Sequence, residues 1–219
     1  MAQIYASDEN LADAARALAD GALALVPTET VYGVGVAVAA YAGNAEMPSP
    51  DTGYGRIFTL KQRNVTQTVP WLVDGPEALD RYGVDVPDEI RRLAQEFWPG
   101  ALTLVVPSAP CVPEFMRAAD GTVALRASAS PVVQELVRLG DSPLAVTSAN
   151  THGMPAPASF EEVEERILAG VDVAVDAGPT PCQNASTIVA VRDGEPCILR
   201  QGAISREEIE RLLPQKCVR

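Results

Sequence analysis

Short apolar runs alternate with amphipathic segments of helical periodicity along this chain, and this alternation constrains its fold more than any other feature. Residues 22–27 and 144–147 are apolar runs of strand length, whereas residues 87–98 carry their apolar side chains on one helical face. Elements that alternate in this way pack in layers, with helices covering a sheet. The sequence therefore predicts an α/β fold: a single domain over residues 1–219, with a twisted mixed open sheet and flanking helices.

The other predicted elements follow from apolar runs and helix-capping residues. Further strands are predicted at residues 69–73, 102–106, 122–125, 171–175, 187–191 and 197–200. Capped helices are predicted to begin at Ser7-Asp8, at Ser130-Pro131, at Ser159 with Glu162 and at Ser205 with Glu208, and to end at Ala19, Gly140, Leu168 and Leu213. Residues 56–61 are predicted to end another helix, and residues 43–53 are predicted to form a mobile loop.

Composition narrows the class of protein. A chain of 219 residues, 47% hydrophobic and 21% charged, can bury one sizeable core. Asp8, Glu9 and Asp13 lie where a secretory signal needs apolar residues, and residues 30–45 are too few to span a bilayer. One histidine and four cysteines without a CxxC pair do not match a zinc site. We expect a cytoplasmic protein with reduced thiols, no membrane span and no metal site.

The net charge of −12 bears on the kind of partner. A protein that grips nucleic acid by its phosphates needs a basic face, so direct nucleic-acid binding is not expected. A local basic cleft can still form if Lys61, Arg63, Arg126 and Arg200 converge while the acids lie elsewhere. Such a cleft suits a small anionic ligand better than a long polyanion.

Residues 26–35, Val-Pro-Thr-Glu-Thr-Val-Tyr-Gly-Val-Gly, are the most informative stretch for function. A buried strand here would deliver Thr28, Glu29, Thr30 and Tyr32 to the end of a sheet. Two hydroxyls, a carboxylate and a phenol so close together suit a small polar substrate. The alternative is an ordinary polar loop between two strands.

Several other polar residues lie at the predicted ends of helices and strands. Each of them could bind a ligand or could have a purely structural role. Lys61 and Arg63 could bind a triphosphate or carboxylate, or could simply complement a helix dipole. Residues 147–150 allow close backbone approach to a ligand, but their composition is also that of a turn. Arg126 and Arg200 end strands, where arginine often has a structural role. The sequence alone leaves these alternatives open.

Six short motifs stand out along the chain: Pro27-Thr28-Glu29-Thr30-Val31-Tyr32-Gly33, Lys61-x-Arg63, Trp98-Pro99-Gly100-Ala101-Leu102-Thr103, Ser148-Ala149-Asn150, Ser186-Thr187-Ile188-Val189 and Leu199-Arg200-x-Gly202. They occur in the order and approximate spacing of the YrdC/Sua5 family, and the chain resembles that family in its short single-domain form. The resemblance runs from about Ala22 to the C-terminal helix and so covers most of the chain.

The resemblance implies a YrdC-like fold with a large concave cavity and the activity of a threonylcarbamoyl-AMP synthase. Such an enzyme joins L-threonine, bicarbonate and ATP, with Mg²⁺ arriving on ATP, and releases pyrophosphate. Its product passes to tRNA-modifying threonylcarbamoyl transferase proteins. The chemistry depends on positioning and charge neutralisation, so no catalytic nucleophile is expected, and neither His152 nor Cys182 is a candidate.

The same resemblance implies roles for individual residues. Those expected to contact threonine or shape its pocket are Thr30, Tyr32, Arg126 and Ser186. Those expected at the nucleotide are Lys61, Arg63, Thr122, Ser148, Asn150 and Arg200. Replacing Arg63 or Arg126 by alanine is expected to impair pyrophosphate release and leave the fold intact.

Departures from the family pattern leave two other functions open. The departures lie at residues 64–68, 127–128, 182–184 and Gln201, and residues 43–53 form a longer loop. The first alternative is a carbamoyl-adenylating enzyme with a different acceptor. The second is a non-catalytic RNA-binding or ribosome-maturation module of the same fold.

Overall fold

Ten strands form one mixed sheet in the computed structural model, which describes residues 2–6, 11–192 and 195–213. The strands are β1 (Gln3–Ala6), β2 (Ala24–Pro27), β3 (Tyr32–Ala37), β4 (Trp71–Val73), β5 (Leu102–Pro107), β6 (Thr122–Ala127), β7 (Leu144–Ser148), β8 (Val173–Asp176), β9 (Thr187–Arg192) and β10 (Glu195–Arg200). Their order across the sheet is β1-β8-β2-β3-β7-β4-β6-β5-β9-β10. The predicted α/β class and mixed sheet are confirmed.

Seven α-helices flank the sheet in the described part of the chain. They are α1 (Ala12–Ala19), α2 (Gly53–Lys61), α3 (Ala78–Tyr82), α4 (Asp88–Phe97), α5 (Pro131–Gly140), α6 (Glu165–Gly170) and α7 (Arg206–Leu212). The Ser130 hydroxyl caps α5, and Ser205 and Glu208 form the predicted capping box of α7. The predicted cap at Ser7-Asp8 lies outside the described residues.

The predicted capping box at Ser159 and Glu162 is wrong. Residues Phe160–Glu162 form a single 3₁₀ turn, and α6 begins only at Glu165. The Glu162 carboxylate accepts a hydrogen bond from the Ala158 backbone N–H, at 2.7 Å, so it caps the preceding loop.

Pairing along the sheet mixes parallel and antiparallel strands. β4 lies parallel to β6 and antiparallel to β7, while β5 lies antiparallel to β6 and parallel to β9. Because side chains alternate across a strand, successive residues face opposite sides of this sheet. Leu25 of β2 joins one apolar cluster, and its neighbours Ala24 and Val26 join a second.

The two faces of the sheet are covered unequally. On one face, residues of α2, α3, α4, α6 and α7 pack in a single cluster against strands from β2 to β9. On the other face, α1 and α5 pack against β1, β2, β3, β4, β7 and β8. The β5, β6 and β9 side chains on that second face meet no helix of this cluster, which leaves a concave surface. No helix in the described ranges is long and apolar enough to cross a membrane.

Leu104→Ala tests the cluster beneath this concave surface. Leu104 is fully buried in β5, so its truncation should lower the free energy of unfolding by about 2–5 kcal/mol, the cost of lost apolar contact and a residual cavity. Leu199→Ala is the matched control, since Leu199 is 43% exposed and its truncation should change stability by about 0.5 kcal/mol or less. Urea denaturation measures both variants, and equal losses would contradict this account of the core.

Candidate functional site

A cavity of about 560 Å³ lies on the concave part of the sheet. β6 lines it with Thr122, Ala124 and Arg126, which alternate along the strand and so share one face. Nine of the ten residues expected at a substrate line this cavity: Thr30, Tyr32, Arg63, Thr122, Arg126, Ser148, Asn150, Ser186 and Arg200.

The tenth residue, Lys61, lines an adjoining cavity of about 500 Å³. Arg63, Ser148, Asn150 and Arg200 line both cavities, so the two spaces share a wall. The structure therefore brings all ten predicted residues together, although they come from six separate segments of the chain.

The turn between β2 and β3 is held by the Thr28 side chain. Its hydroxyl donates to the Val31 carbonyl at 2.6 Å and accepts from the Val31 N–H at 3.1 Å. It also lies 2.8 Å from the Thr30 hydroxyl. These contacts hold the Thr30 side chain at the cavity wall without help from a ligand.

Arg126 is buried and contacts three residues from two separate segments of the chain. Its Nε donates to the Gly100 carbonyl at 3.1 Å, and its Nη1 donates to the Thr30 hydroxyl at 3.1 Å. Its Nη2 lies 2.6 Å from Glu29 Oε1, an ion pair in which the two side chains are only 7% and 9% exposed. This Nη2–Oε1 contact is a close charge contact without hydrogen-bond geometry, and neither atom has another partner among the described residues.

The Glu29 carboxylate is held from a second side as well. Its Oε2 accepts a hydrogen bond from the Ser128 hydroxyl. Burial alone would raise the pKa of Glu29, but the nearby Arg126 charge and the hydrogen bond from Ser128 outweigh burial and lower it. Glu29 is therefore ionised at neutral pH, and its charge balances that of Arg126.

This ion pair revises the expectation that Arg126→Ala would leave the fold undisturbed. From the sequence, the negative group expected beside Arg126 was that of a bound ligand. In the structure, the negative group beside Arg126 is the Glu29 carboxylate. Removing the guanidinium would leave a buried carboxylate without its cation, which costs about 3–5 kcal/mol.

Lys61 is the last residue of α2 and Arg63 lies just beyond the helix. Neither has a carboxylate partner among the described residues. Arg63 donates to the Thr147 hydroxyl at 2.8 Å and to the Thr68 carbonyl at 2.7 Å, and its buried Nε has no described partner. Lys61 donates to the Ser148 carbonyl and, at 2.8 Å, to the Asn150 carbonyl. Burial, reinforced by the Arg63 charge, lowers the pKa of Lys61 to about 8.

Ser186 and Arg200 both line the main cavity and contact each other there. The Arg200 Nη2 donates to the Ser186 carbonyl at 2.8 Å and to its hydroxyl at 3.1 Å. The Ser186 hydroxyl lies 2.8 Å from that of Thr103 on β5. Arg200 is exposed overall, and no described carboxylate pairs with it.

Tyr32, Asn150 and Thr122 bind neighbouring loops in this structure. The Tyr32 hydroxyl donates to the Gly178 carbonyl at 2.9 Å, and the Asn150 amide donates to the Met154 carbonyl at 2.6 Å. The Thr122 hydroxyl donates to Asp120 at 2.6 Å. These three residues shape the cavity and hold its loops.

Sequence reasoning missed several residues that hold the site. They are Thr68, Thr103, Ser128 and Thr180, the last of which donates to the Thr30 carbonyl at 2.8 Å. One signal was available, because Thr103 is a polar residue within the apolar run of β5. His152 lines the second cavity, while Cys182 is exposed and its N–H donates to the Glu29 carbonyl at 2.9 Å.

Acid unfolding tests the ion pair. Because the pKa of Glu29 lies below its usual 4.5 in the folded state, its contribution to stability is complete above about pH 4.5 and is lost as the pH falls through the lowered value. Glu29→Gln should be less stable at pH 7 by about 3–5 kcal/mol and should lose less stability on acidification.

Denaturant titrations between pH 7 and pH 3 measure this difference. They are run in about 1 M salt, where a Debye length of about 3 Å screens exposed pairs such as Glu135–Arg138. Parallel pH profiles of the native protein and Glu29→Gln would show that the pair does not stabilise the fold.

Comparison with known proteins agrees with this geometry. The model of the Sua5/YciO/YrdC family, described as "telomere recombination", matches residues 16–202. A Pyrococcus abyssi protein named threonylcarbamoyl-AMP synthase is 34% identical over 91% of this chain, which spans 56% of that relative's length. A Vibrio cholerae protein of the same name is 31% identical over 85% of this chain and is covered over 98% of its own length.

Solved structures give the same result. P. abyssi Sua5 complexed with L-threonine superposes with a TM-score of 0.85 at 30% identity, covering 97% of this chain and 60% of that one. Escherichia coli YciO superposes with a TM-score of 0.80 over 95% of this chain and all of its own, and at 19% identity it supports the fold alone. The named relatives are enzymes of the nucleotidyltransferase type. By the match to the family model and by these relatives, the chain belongs to the Sua5/YciO/YrdC family.

Proposed function

We propose that this chain is an L-threonylcarbamoyladenylate synthase, a single domain over residues 1–219 that supplies its product for N6-threonylcarbamoyl modification of tRNA adenosine. One observation carries the proposal. One end of the cavity is lined by hydroxyl groups, and there the Glu29 carboxylate neutralises Arg126. At the other end, Lys61, Arg63 and Arg200 have no described carboxylate partner. Such a cavity can hold a small zwitterion beside a polyanion, and relatives named threonylcarbamoyl-AMP synthase support that pairing.

The unneutralised cations suit the triphosphate of ATP. Arginine can bind phosphate oxygens in bidentate fashion, and the buried Arg63 Nε has no described partner in the absence of ligand. Ser148 and Asn150 would line the nucleotide site with Thr122, whose strand β6 crosses the cavity floor.

Mg²⁺ enters this scheme as part of the ATP substrate. Asp120 is the carboxylate that lines the main cavity, and Glu29 is committed to Arg126 and Ser128. In the described part of the chain no group of three His, Cys, Asp or Glu side chains could hold a metal ion. This donor set fits a cation that keeps water and phosphate ligands.

The opposite end suits L-threonine. Arg126 would face the substrate carboxylate, and the Thr30 and Ser186 hydroxyls line the same cavity. Tyr32 would shape the pocket from beneath, since its hydroxyl is held by the loop at Gly178. The P. abyssi relative solved with L-threonine supports this choice of substrate.

The reaction requires two bond-forming steps. The threonine amine attacks bicarbonate carbon and water leaves, giving a carbamate. A carbamate oxygen then attacks the α-phosphorus of ATP, and the bond to the bridging oxygen breaks to release pyrophosphate. Both steps depend on alignment, and the second also depends on cations that stabilise the charge developing on the phosphates. Neither step requires a protein nucleophile. The labile product would pass to threonylcarbamoyl transferase proteins in the cytoplasm.

Pyrophosphate release from ATP and bicarbonate, with and without L-threonine, tests the function. Release that depends on threonine is expected, because the carbamate is the attacking group. ATP turnover indifferent to threonine would indicate another acceptor. No turnover by folded protein, together with salt-dependent RNA binding, would favour the non-catalytic module.

Residue-level variants complete that experiment. Arg63→Ala should lower kcat/KM for ATP by about 10- to 100-fold, since a charge-assisted contact contributes about 1.5–3 kcal/mol. Arg92→Ala is the matched control, because Arg92 pairs with Glu89 on α4 at the surface. Full turnover in Arg63→Ala would contradict the assignment of the phosphate end.

The lowered pKa of Lys61 predicts a pH dependence of ATP binding. As the pH rises from 7 to 9, Lys61 loses its proton with a pKa of about 8, so the Kd for ATP should rise about tenfold. Lys61→Arg should abolish this rise, because arginine stays charged throughout that range. Calorimetric titration measures both proteins, and a pH-independent Kd for the native protein would exclude Lys61 as a phosphate contact.

A further inference from the structure

The four cations of the site are not equivalent. Arg63 and Arg200 each donate to carbonyl and hydroxyl oxygens, whereas Lys61 donates to carbonyl oxygens. None of the three has an ion pair among the described residues. The negative charge of Glu164 is close enough to favour the protonated form of Lys61. The Glu164 carboxylate does not pair with Lys61, however, because it accepts hydrogen bonds from Thr151. These three cations therefore present net positive charge to the space they line.

Arg126 is the exception. Its Nη2 lies 2.6 Å from Glu29 Oε1, and the Glu29 carboxylate is held on its other oxygen by the Ser128 hydroxyl. Both Glu29 and Ser128 lie outside the cavity lining, whereas Arg126 and Thr30 form part of it. Glu29 therefore acts on a bound molecule through Arg126 rather than by contact.

We propose that Glu29 is a positioning residue that sets charge specificity: it neutralises Arg126, so that this end of the cavity accepts a zwitterionic amino acid and excludes phosphate. This proposal rests on the proposed function, since it concerns the threonine end of the same site. It also implies that ATP is directed into one orientation, with its phosphates on Lys61, Arg63 and Arg200.

The physical reason is the net charge of each ligand. A zwitterion carries one positive and one negative group, so the Glu29 charge attracts one group and repels the other, and the effects largely cancel. A phosphate dianion has no cationic group, so Glu29 opposes the attraction of Arg126 for it. In a buried site this opposition is weakly screened and large compared with that at a surface.

The first experiment uses the native protein. L-Threonine is titrated calorimetrically with and without inorganic phosphate, and ATP is titrated in the same way. Phosphate should weaken ATP binding and leave the Kd for threonine unchanged. Phosphate that competes with threonine at the concentrations at which it competes with ATP would overturn the proposal without need of any variant.

Glu29→Gln is the informative variant, because the amide keeps the size of the side chain and removes its charge. In this variant phosphate should compete with threonine. The apparent affinity of the threonine end for phosphate should be about tenfold or more higher than in the native protein. The Kd for threonine should change by about threefold or less. A gain in phosphate affinity confined to this end would not follow from loosened packing.

Ser128→Ala is the matched control. It removes the hydrogen bond to Glu29 Oε2 but keeps both charges, so phosphate should still be excluded from the threonine end. Competition by phosphate in Ser128→Ala equal to that in Glu29→Gln would show that packing, rather than charge, is responsible.

The two proposals fail in distinguishable ways. If the native protein binds ATP and threonine but Glu29→Gln shows no new competition by phosphate, the role of Glu29 is wrong and the proposed function stands. If the native protein binds no threonine, both are overturned. If Glu29→Gln does not fold, the competition experiment on the native protein decides the matter.

Discussion

The unequal covering of the sheet is the constraint on which the site depends. One face packs against α2, α3, α4, α6 and α7 along most of its width, so the strands are anchored from beneath. In the described part of the chain, the other face is covered by α1 and α5 only over the strands from β1 to β4 in sheet order. β5, β6 and β9 lie beyond those two helices. Their side chains on this second face are not packed against a helix there, so polar residues can occupy these positions. Thr103, Thr122, Arg126 and Ile188 line a cavity there instead.

Polar groups in this cavity are held by one another before any ligand is present. The Thr28 hydroxyl braces the turn that carries Thr30, the Thr103 hydroxyl supports Ser186, and Thr147 holds Arg63. A site built in this way loses little conformational freedom when it binds, which favours a reaction that depends on alignment. Glu29 adds a second property, because its buried charge divides one continuous cavity into a balanced end and a cationic end.

Much of the fold and of the site could be predicted from local pattern. The capping box of α7 and the Ser130 cap of α5 formed as predicted because their partners lie three residues away. The Ser159–Glu162 pair has the same spacing, yet the Glu162 carboxylate accepts its hydrogen bond from the Ala158 N–H. The carboxylate therefore binds the preceding loop instead of completing a capping box with Ser159. The short helix α3 and the edge strand β1, in which Tyr5 alone is buried, carry too little periodicity to be recognised.

The sequence by itself determined the alternation of strands and helices and the polar residues at their ends, because these depend on neighbours within a few positions. It also carried the ordered motifs that indicate the family. Only the tertiary structure decided that β6 lies between β4 and β5, and that Glu29 faces Arg126 from 97 residues away. An arginine in a sequence indicates a positive charge but does not indicate which negative group lies beside it in the folded protein. Whether that charge is free for a ligand or balanced by a buried carboxylate depends on distances that only the folded chain sets.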